Sequence, residues 1–464
     1  MSQHDPRLDA VLTRIDADLD AALARLSSWL RIPSVSTDPA RAGDCRAAAA
    51  WLQRNLAELG FEASVRDTPG HPVVLARTPG AGRRRALFYG HYDVQPPEPL
   101  EQWRSPPFEP RIVTLDDGRR AIVARGAADD KGQVMTFIEA CRAWKAVHGE
   151  LPLDVTVMVE GEEEVGSPNT PAFVAAHRDE LAADVALACD TSMWDAATPA
   201  ITTSLRGLVY EEVTIRAADR DLHSGLFGGA AQNPIRVLAR IIAGLHDDSG
   251  RVTLPGFYEG VPETPPEVLE QWRGLGLDAA RFLGPVGLSA PAGEKDRMVI
   301  EQIQSRPTCD VNGIFGGYTG PGAKTVIPAE ATAKLSFRLV GDQDPLKVRA
   351  AFRDYVLASL PPDCTATFAG HGASRAIALP FDLPDLRRAA AALEAEWGRP
   401  AVTIGSGGSI PIVGDFRELL GVDTLLVGFG LDDDRIHSPN EKYDLTSFHK
   451  GARSWARILA ALAA

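Results

Sequence analysis

The sequence predicts an α/β protein: a mostly parallel sheet with helices on both faces, interrupted by a smaller inserted α+β domain. Three observations carry this. Apolar runs of strand length at 84–90, 153–159 and 185–190 alternate with helix-period segments, the signature of repeated βαβ units. These runs are apolar almost throughout rather than alternating, as strands covered on both faces require. From about residue 207 the order becomes β-α-β-β-α-β, which suits a ferredoxin-like sandwich, and the first pattern returns after about 380. The domains so divided are 1–206, 207–380 and 381–464, the outer two being parts of one domain.

The elements follow in order. An N-terminal amphipathic helix to about 31 carries Leu8, Val11, Leu12, Ile15, Leu19, Leu23 and Leu26 at helical spacing. A second helix spans about 45–59. The strand Ala86-Leu-Phe-Tyr-Gly90 runs into His91, Tyr92 and Asp93. Helix 131–147 can bury Met135, Ile138 and Trp144 on one face. Strand 153–159, helix 170–182 and strand 185–190 complete the first pattern. In the insertion, Leu208–Ala217 reads as a strand, and Asn233-Pro234 caps a helix over 235–245. A long Pro- and Gly-rich stretch at about 250–295, with Phe257, Tyr258, Trp272 and Phe282, reads as irregular. It could shape an interface, wall a pocket or fill surface. Strands at 309–315 and 331–339, a helix at 345–359 and a strand at 363–369 follow. Helix 382–397 and strand Thr424–Gly428 belong to the first domain again.

Composition narrows the function classes. At 464 residues the chain is long for one core. Its net charge of −14 argues against nucleic acid or an anionic membrane as partner. No apolar run approaches the roughly 20 residues of a membrane span, and the N-terminus has no signal-peptide core, so the expected compartment is the cytoplasm. The five cysteines (45, 141, 189, 309, 364) are scattered, and Cys141 and Cys189 sit in apolar patterns as buried thiols.

The chemistry gathers at strand ends. Strand 153–159 closes on Gly161-Glu162-Glu163-Glu164-Val165-Gly166, placing clustered carboxylates where open α/β sheets carry their sites. Such charges repel unless a cation sits among them; a solvated surface run is the plain alternative. In His91-Tyr92-Asp93 the imidazole can bind a metal and the carboxylate two residues on can orient it. Asp129 and Asp130 open helix 131–147, either as ligands or as N-terminal caps. Asp190 ends a buried strand, and His437 lies in a turn-rich loop. Two His with Asp and Glu make a donor set for a pair of zinc, manganese or cobalt ions.

The segments GHYDVQP, ARGAADDKG, VEGEEEVGS, CDTS, DLHSGLFGG, GAKTVIPAEATAKLSFRLV and IHSPNEK occur in the order seen in the M20 metallopeptidases. The chain resembles their dipeptidase branch, the carnosine-type and cytosolic nonspecific enzymes, from about residue 25 onward. The resemblance implies a catalytic domain with an inserted lid and dimerisation domain, two divalent metal ions per subunit, zinc first with manganese or cobalt as alternatives, and a homodimer. It implies that His91 ligates one ion with Asp190, that Asp93 orients His91, and that Asp129 bridges both ions, often with a cis bond to Asp130. Glu164 and His437 would share the second ion, and Glu163 would be the general base, with Glu162 a neighbour. His223 would stabilise the oxyanion from the other subunit. Thr325 and His371 match substrate-facing residues of the family; Arg338, on a strand-like run, could grip the substrate carboxylate bidentately or be an exposed strand arginine, and the loop Gly405–Pro411 could bind it through its amides and Ser409 or be a linker. The implied reaction is hydrolysis of dipeptides. An amide deacylase of N-acyl amino acids on the same centre, and a non-catalytic binding protein, are the alternatives.

Overall fold

The computed structural model describes residues 6–80, 82–407 and 410–464. Contacts divide the chain into two compact units: Met1–Thr203 with Leu379–Ile404 and Pro411–Ala464, and Ser204–Ala378 with Gly405–Ile410.

The first unit is built on a mixed sheet. Its strands run in the order Glu62–Arg66, Val73–Arg77, Asp154–Glu160, Arg85–His91, Val185–Ala188, Thr424–Leu426 and Ala200–Leu205. The central pairings, 154–160 with 85–91, 85–91 with 185–188 and 185–188 with 424–426, are parallel. The flanking ones are antiparallel. Residues 86–91 and 185–188 are buried along their length, which is why their sequences do not alternate. Successive residues still serve opposite faces. Phe88 stacks on Phe137 at 3.8 Å and meets Trp455 edge-on, from helices Lys131–His148 and Leu445–Ala463. Tyr89 points the other way, onto Phe416. Helix Lys131–His148 stops because Gly149 takes a left-handed φ of 75° and donates its N–H to the Lys145 carbonyl.

The second unit contains a four-stranded antiparallel sheet ordered Thr308–Gly316, Glu330–Leu339, Gly207–Arg216, Thr365–Ser374. With helices Pro234–Ala243 and Pro345–Ala358 this is the split βαβ arrangement read from the sequence. Strand 207–216 alternates strictly, burying Val209, Glu211, Val213 and Ile215 under the helices. The one charge in that row, Glu211, is matched by Arg349 at 2.6 Å and Arg353 at 2.9 Å. Asp344 and Asn233 cap the two helices, each with Pro at the first helical position. Gly405–Ile410 groups with this unit, the Gly405 N–H donating to Gln304 Oε1 and the Arg206 N–H to the Ser406 carbonyl.

Several expectations need correction. The N-terminal helix is two, Pro6–Ala17 and Leu19–Leu30, because Asp18 leaves helical geometry at φ −95°, ψ 5°. Helix 170–182 is likewise broken at His177 into Thr170–Ala176 and Arg178–Leu181. The stretch 250–295 is not simply irregular: it holds helices Pro266–Leu275 and Ala279–Leu283. There Phe257 and Trp272 are buried, Tyr258 lies under Arg251 and Arg306, and Phe282 is exposed. Short strands such as Glu62–Arg66, Arg111–Thr114 and Arg120–Val123 have no counterpart in the sequence reading. Among the described residues, no helix is long and apolar enough to cross a membrane.

Candidate metal centre

The ends of the parallel strands converge on one cluster within the first unit. His91 closes strand 85–91 and is fully buried. Its Nδ1 lies 3.1 Å from the Asp93 carbonyl and 3.4 Å from Asp93 Oδ1, which leaves Nε2 facing the cluster. Asp93 also accepts the backbone N–H of Glu163 at 3.3 Å and of Glu164 at 3.1 Å. One carboxylate thus fixes the imidazole and the acidic loop together.

Asp129 reaches both histidines. Its Oδ1 is 3.0 Å from His91 Nε2, and its Oδ2 is 2.9 Å from His437 Nε2. Asp190 Oδ2 is 3.8 Å from His91 Nε2, and Glu164 Oε2 is 3.3 Å from His437 Nε2. The potential ligand atoms form two groups, His91–Glu163–Asp190 and Asp129–Glu164–His437, each with all its atoms within 4.8 Å of one another. The Asp129–Asp130 peptide bond is cis. Asp130 does not cap its helix through its side chain; it accepts the His91 N–H and lies 3.4 Å from Cys189 Sγ.

Glu162 turns away, taking two hydrogen bonds from Asn169 and packing so closely on Gly70 that a Cβ there would meet Oε1 at 1.7 Å. Glu163 and Glu164 alone of the triplet face the two groups.

Electrostatics follow from burial of so many acids. Desolvation pushes Glu163 up to about 8, with Asp190, Glu164 and Asp129 adding to it against the pull of His91. Asp190 moves up, through burial and then Asp129. Hydrogen bonds to Asp129 and Glu164 raise His437 to about 10. Burial opposes the charged form of His91, but Asp129 and Asp93 outweigh it. A divalent cation is the natural counter-charge for such a set. The fit is also local: His91 Nε2 and Glu164 Oε1 are buried without a hydrogen-bond partner, the 3.0 Å approach of Asp129 to His91 having no hydrogen-bond geometry. The donors are His, Asp and Glu, with no thiolate, as zinc, manganese or cobalt accept.

Three supporting residues escaped the sequence reading. Gln95 donates to Glu164 Oε2 at 2.7 Å. Glu441 accepts from Arg125 and from the backbone N–H groups of Gly126, Ala128 and Asp129, clamping the loop of His437 to that of Asp129. Glu160 accepts hydroxyl hydrogens from Tyr89, Ser167 and Thr170, anchoring the acidic loop at its other end. Gln95, Glu160 and Glu441 all lay inside motifs already quoted; nothing in a linear pattern marks which polar neighbour is a brace.

The remaining candidates belong to the second unit or fall outside the description. His223 is exposed on the ribbon Leu222–His223 with Val326–Ile327, where it pairs with Val326. Thr325 adjoins it, its carbonyl accepting the Ser224 N–H. Arg338 sits on strand 330–339, opposite Leu208 and Thr308. His371 is on the other edge strand, beside Tyr210 and Glu212, not in the cross-strand row of Arg338. Ser409 lies outside the described residues.

Comparison with known proteins points one way. The family profile described as Peptidase family M20/M25/M40 matches residues 87–461. The chain is 30% identical over 477 residues to the Cys-Gly metallodipeptidase dug1 of Schizosaccharomyces pombe, covering 98% of each chain. It is 29% identical over 486 residues to the Beta-Ala-His dipeptidase of Homo sapiens, covering 98% of this chain and 93% of that one. Among solved structures, human carnosine dipeptidase 1 superposes with a TM-score of 0.78 at 26% identity, covering 99% of both chains. The M20 family metallo-carboxypeptidase Sso-CP2 from Sulfolobus solfataricus superposes with a TM-score of 0.79 at 30% identity, covering 95% of this chain and 99% of that one.

Proposed function

The chain belongs to peptidase family M20/M25/M40, and from that premise we infer that it is a metal-dependent peptide hydrolase acting on dipeptides. The observation that carries the reading is the pair of ligand groups, with Asp129 within 3.0 Å of a histidine in each, set among relatives that are dipeptidases over nearly their whole length. The deacylase alternative draws no support from those relatives.

In this reading His91 and Asp190 would hold one ion and Glu164 and His437 the other, with Asp129, which reaches both histidines, serving both, and zinc, manganese or cobalt would be the metal. When bound, such a pair supplies a water of lowered pKa and a Lewis acid for the scissile carbonyl. Glu163 takes the proton of the attacking water on its free carboxylate oxygen and delivers it to the leaving amine nitrogen. Asp93 acts through His91 and the acidic loop, holding both in place.

His223 serves as oxyanion donor. Its Nδ1 accepts the Gly225 N–H at 3.0 Å, so the neutral ring carries its proton on Nε2. It is contributed by a second copy of the chain. Exposed Val311, Ile314 and Phe315 on the edge strand Thr308–Gly316 suit a homodimer surface. Residues 207–380 then act as lid and dimerisation domain, and 1–206 with 381–464 as the catalytic domain. Arg338 takes the substrate's terminal carboxylate, with Thr325, Ser409 and His371 as further contacts. The five unpaired thiols suit a reducing, cytoplasmic setting.

The test is hydrolysis of a dipeptide panel and of N-acetylated amino acids by metal-stripped protein refilled with zinc or manganese, repeated with Glu163→Gln. Dipeptide cleavage that requires metal and falls roughly 10²- to 10⁴-fold in the variant, at unchanged metal content, is expected. Cleavage of the acetylated panel alone would transfer the protein to the deacylases.

A further inference from the structure

Residues 95–104 run from the acidic loop to the loop of His437 and are fastened at both ends, all within the first unit. At one end Gln95 Nε2 donates to Glu164 Oε2 at 2.7 Å. At the other, Asn440 accepts the Arg104 N–H through Oδ1 and donates from Nδ2 to the Gln102 carbonyl, both at 2.8 Å. The middle is pinned as well. Arg125 donates to the Pro96 carbonyl at 3.1 Å, lies 5.5 Å over the Trp103 ring and pairs with Glu441 at 2.9 Å. The Trp103 indole N–H donates to the Pro97 carbonyl at 2.6 Å. One strap therefore ties Glu164 to the loop of His437.

Those two side chains belong to the same ligand group, and each needs outside help to hold its place. A ligating histidine is ordinarily oriented by an acceptor on its second ring nitrogen. His91 has Asp93 there. Among the described residues nothing hydrogen-bonds Nδ1 of His437, whose side chain is 54% exposed. Its direction must come from the backbone of its loop. That backbone is strained: Arg435, His437 and Asn440 take left-handed φ values of 57°, 62° and 64° without being glycine. Such a conformation persists only where the surroundings enforce it, and the two bonds of Asn440 to the strap do so. Glu164 is in the complementary position. Its Oε2 takes the Gln95 hydrogen bond, while its Oε1 is buried without a partner.

We propose that the strap 95–104 presets the Glu164–His437 half of the centre, with Gln95 and Asn440 as its positioning residues. Gln95 acts through Glu164 by fixing which oxygen stays free, and Asn440 acts through His437 by fixing its loop. Together they set the affinity for one ion and leave the His91 half, which Asp93 holds, unaffected. This rests on the two-ion reading above.

The test titrates zinc into full-length, metal-stripped protein by calorimetry, for wild type, Gln95→Leu, Asn440→Gly and His437→Ala. Glycine at 440 keeps the left-handed backbone and removes only the side chain. His437→Ala identifies the binding step that belongs to its half. In Gln95→Leu and in Asn440→Gly that same step weakens roughly ten- to hundredfold, while the other keeps its wild-type Kd. Zinc raised above the new Kd then restores dipeptide turnover, which a damaged fold would not allow. Weakening of both steps alike, or a variant that leaves the His437 step at its wild-type Kd, overturns the proposal. If Asn440→Gly does not fold, Gln95→Leu decides on the same terms. A wild type that binds fewer than two zinc ions removes the two-ion reading, and this one with it. A wild type that binds two, one of them lost in His437→Ala but untouched in the strap variants, removes this one alone.

Discussion

Glu160 is the residue whose protonation reaches furthest beyond itself. Burial, with Asp93 behind it, pushes its carboxyl from 4.5 up to about 6, against three hydroxyl donors that favour the anion. A folded-state pKa above the unfolded one means that the folded protein binds more protons between those values. Stability from this group is therefore full below about pH 4.5 and is lost as pH rises through 6. The difference amounts to about 2 kcal/mol. Glu160→Gln should remove it, so the variant gains on wild type by up to that amount at pH 8 relative to pH 4, read from urea unfolding. An unchanged difference between the two pH values would show that Glu160 is ionised at no cost. The candidate ligands could be picked out because metal chemistry restricts residue type, and His91 and Asp190 also end buried runs. Asp93 was legible as a partner of His91, but its grip on the Glu163 and Glu164 amides was not, since a backbone donor leaves no trace in residue identity.

Among the elements, the buried parallel strands could be read directly, because covering both faces leaves few polar positions in the run. The edges could not. Glu62–Arg66 and Arg111–Thr114 are half-exposed, short and charged, so neither alternation nor apolar content sets them apart from loops. Helix breaks at Asp18 and His177 were missed for a related reason: the apolar spacing continues across them while the backbone does not. One close approach between elements carries a sharp expectation. Beyond strand 424–426 the chain passes Thr191, and a Cβ on Gly428 would fall 1.9 Å from the Thr191 carbonyl oxygen. Gly428→Ala must push backbone against backbone next to Asp190. A loss of about 1–3 kcal/mol follows from overpacking of this kind, seen as a lower melting temperature. A melt indistinguishable from wild type would mean that the two segments separate freely.

For the whole molecule, the decisive charge distribution is internal. Asp129, Asp190, Glu163 and Glu164 share one cluster with only two histidines. Stripping metal with a chelator should lower the melting temperature, and restoring zinc or manganese at about a hundred times its Kd should return about 2.7 kcal/mol. Equal melting with and without metal would count against ion binding by the folded state. The second unit runs from Ser204 to Ala378 and takes in Gly405–Ile410, where Gly405 donates to Gln304 and Arg206 to Ser406, contacts that no sequence rhythm announces. The nesting has a consequence for synthesis. Domains form as the chain leaves the ribosome, N-terminal parts first. His91, Asp129, Glu163, Glu164 and Asp190 are translated before the inserted unit, and His437 after it. A ribosome paused anywhere within the insertion displays five of the six groups and an unfinished centre, so the nascent polypeptide acquires its hydrolytic competence only after the insertion has emerged.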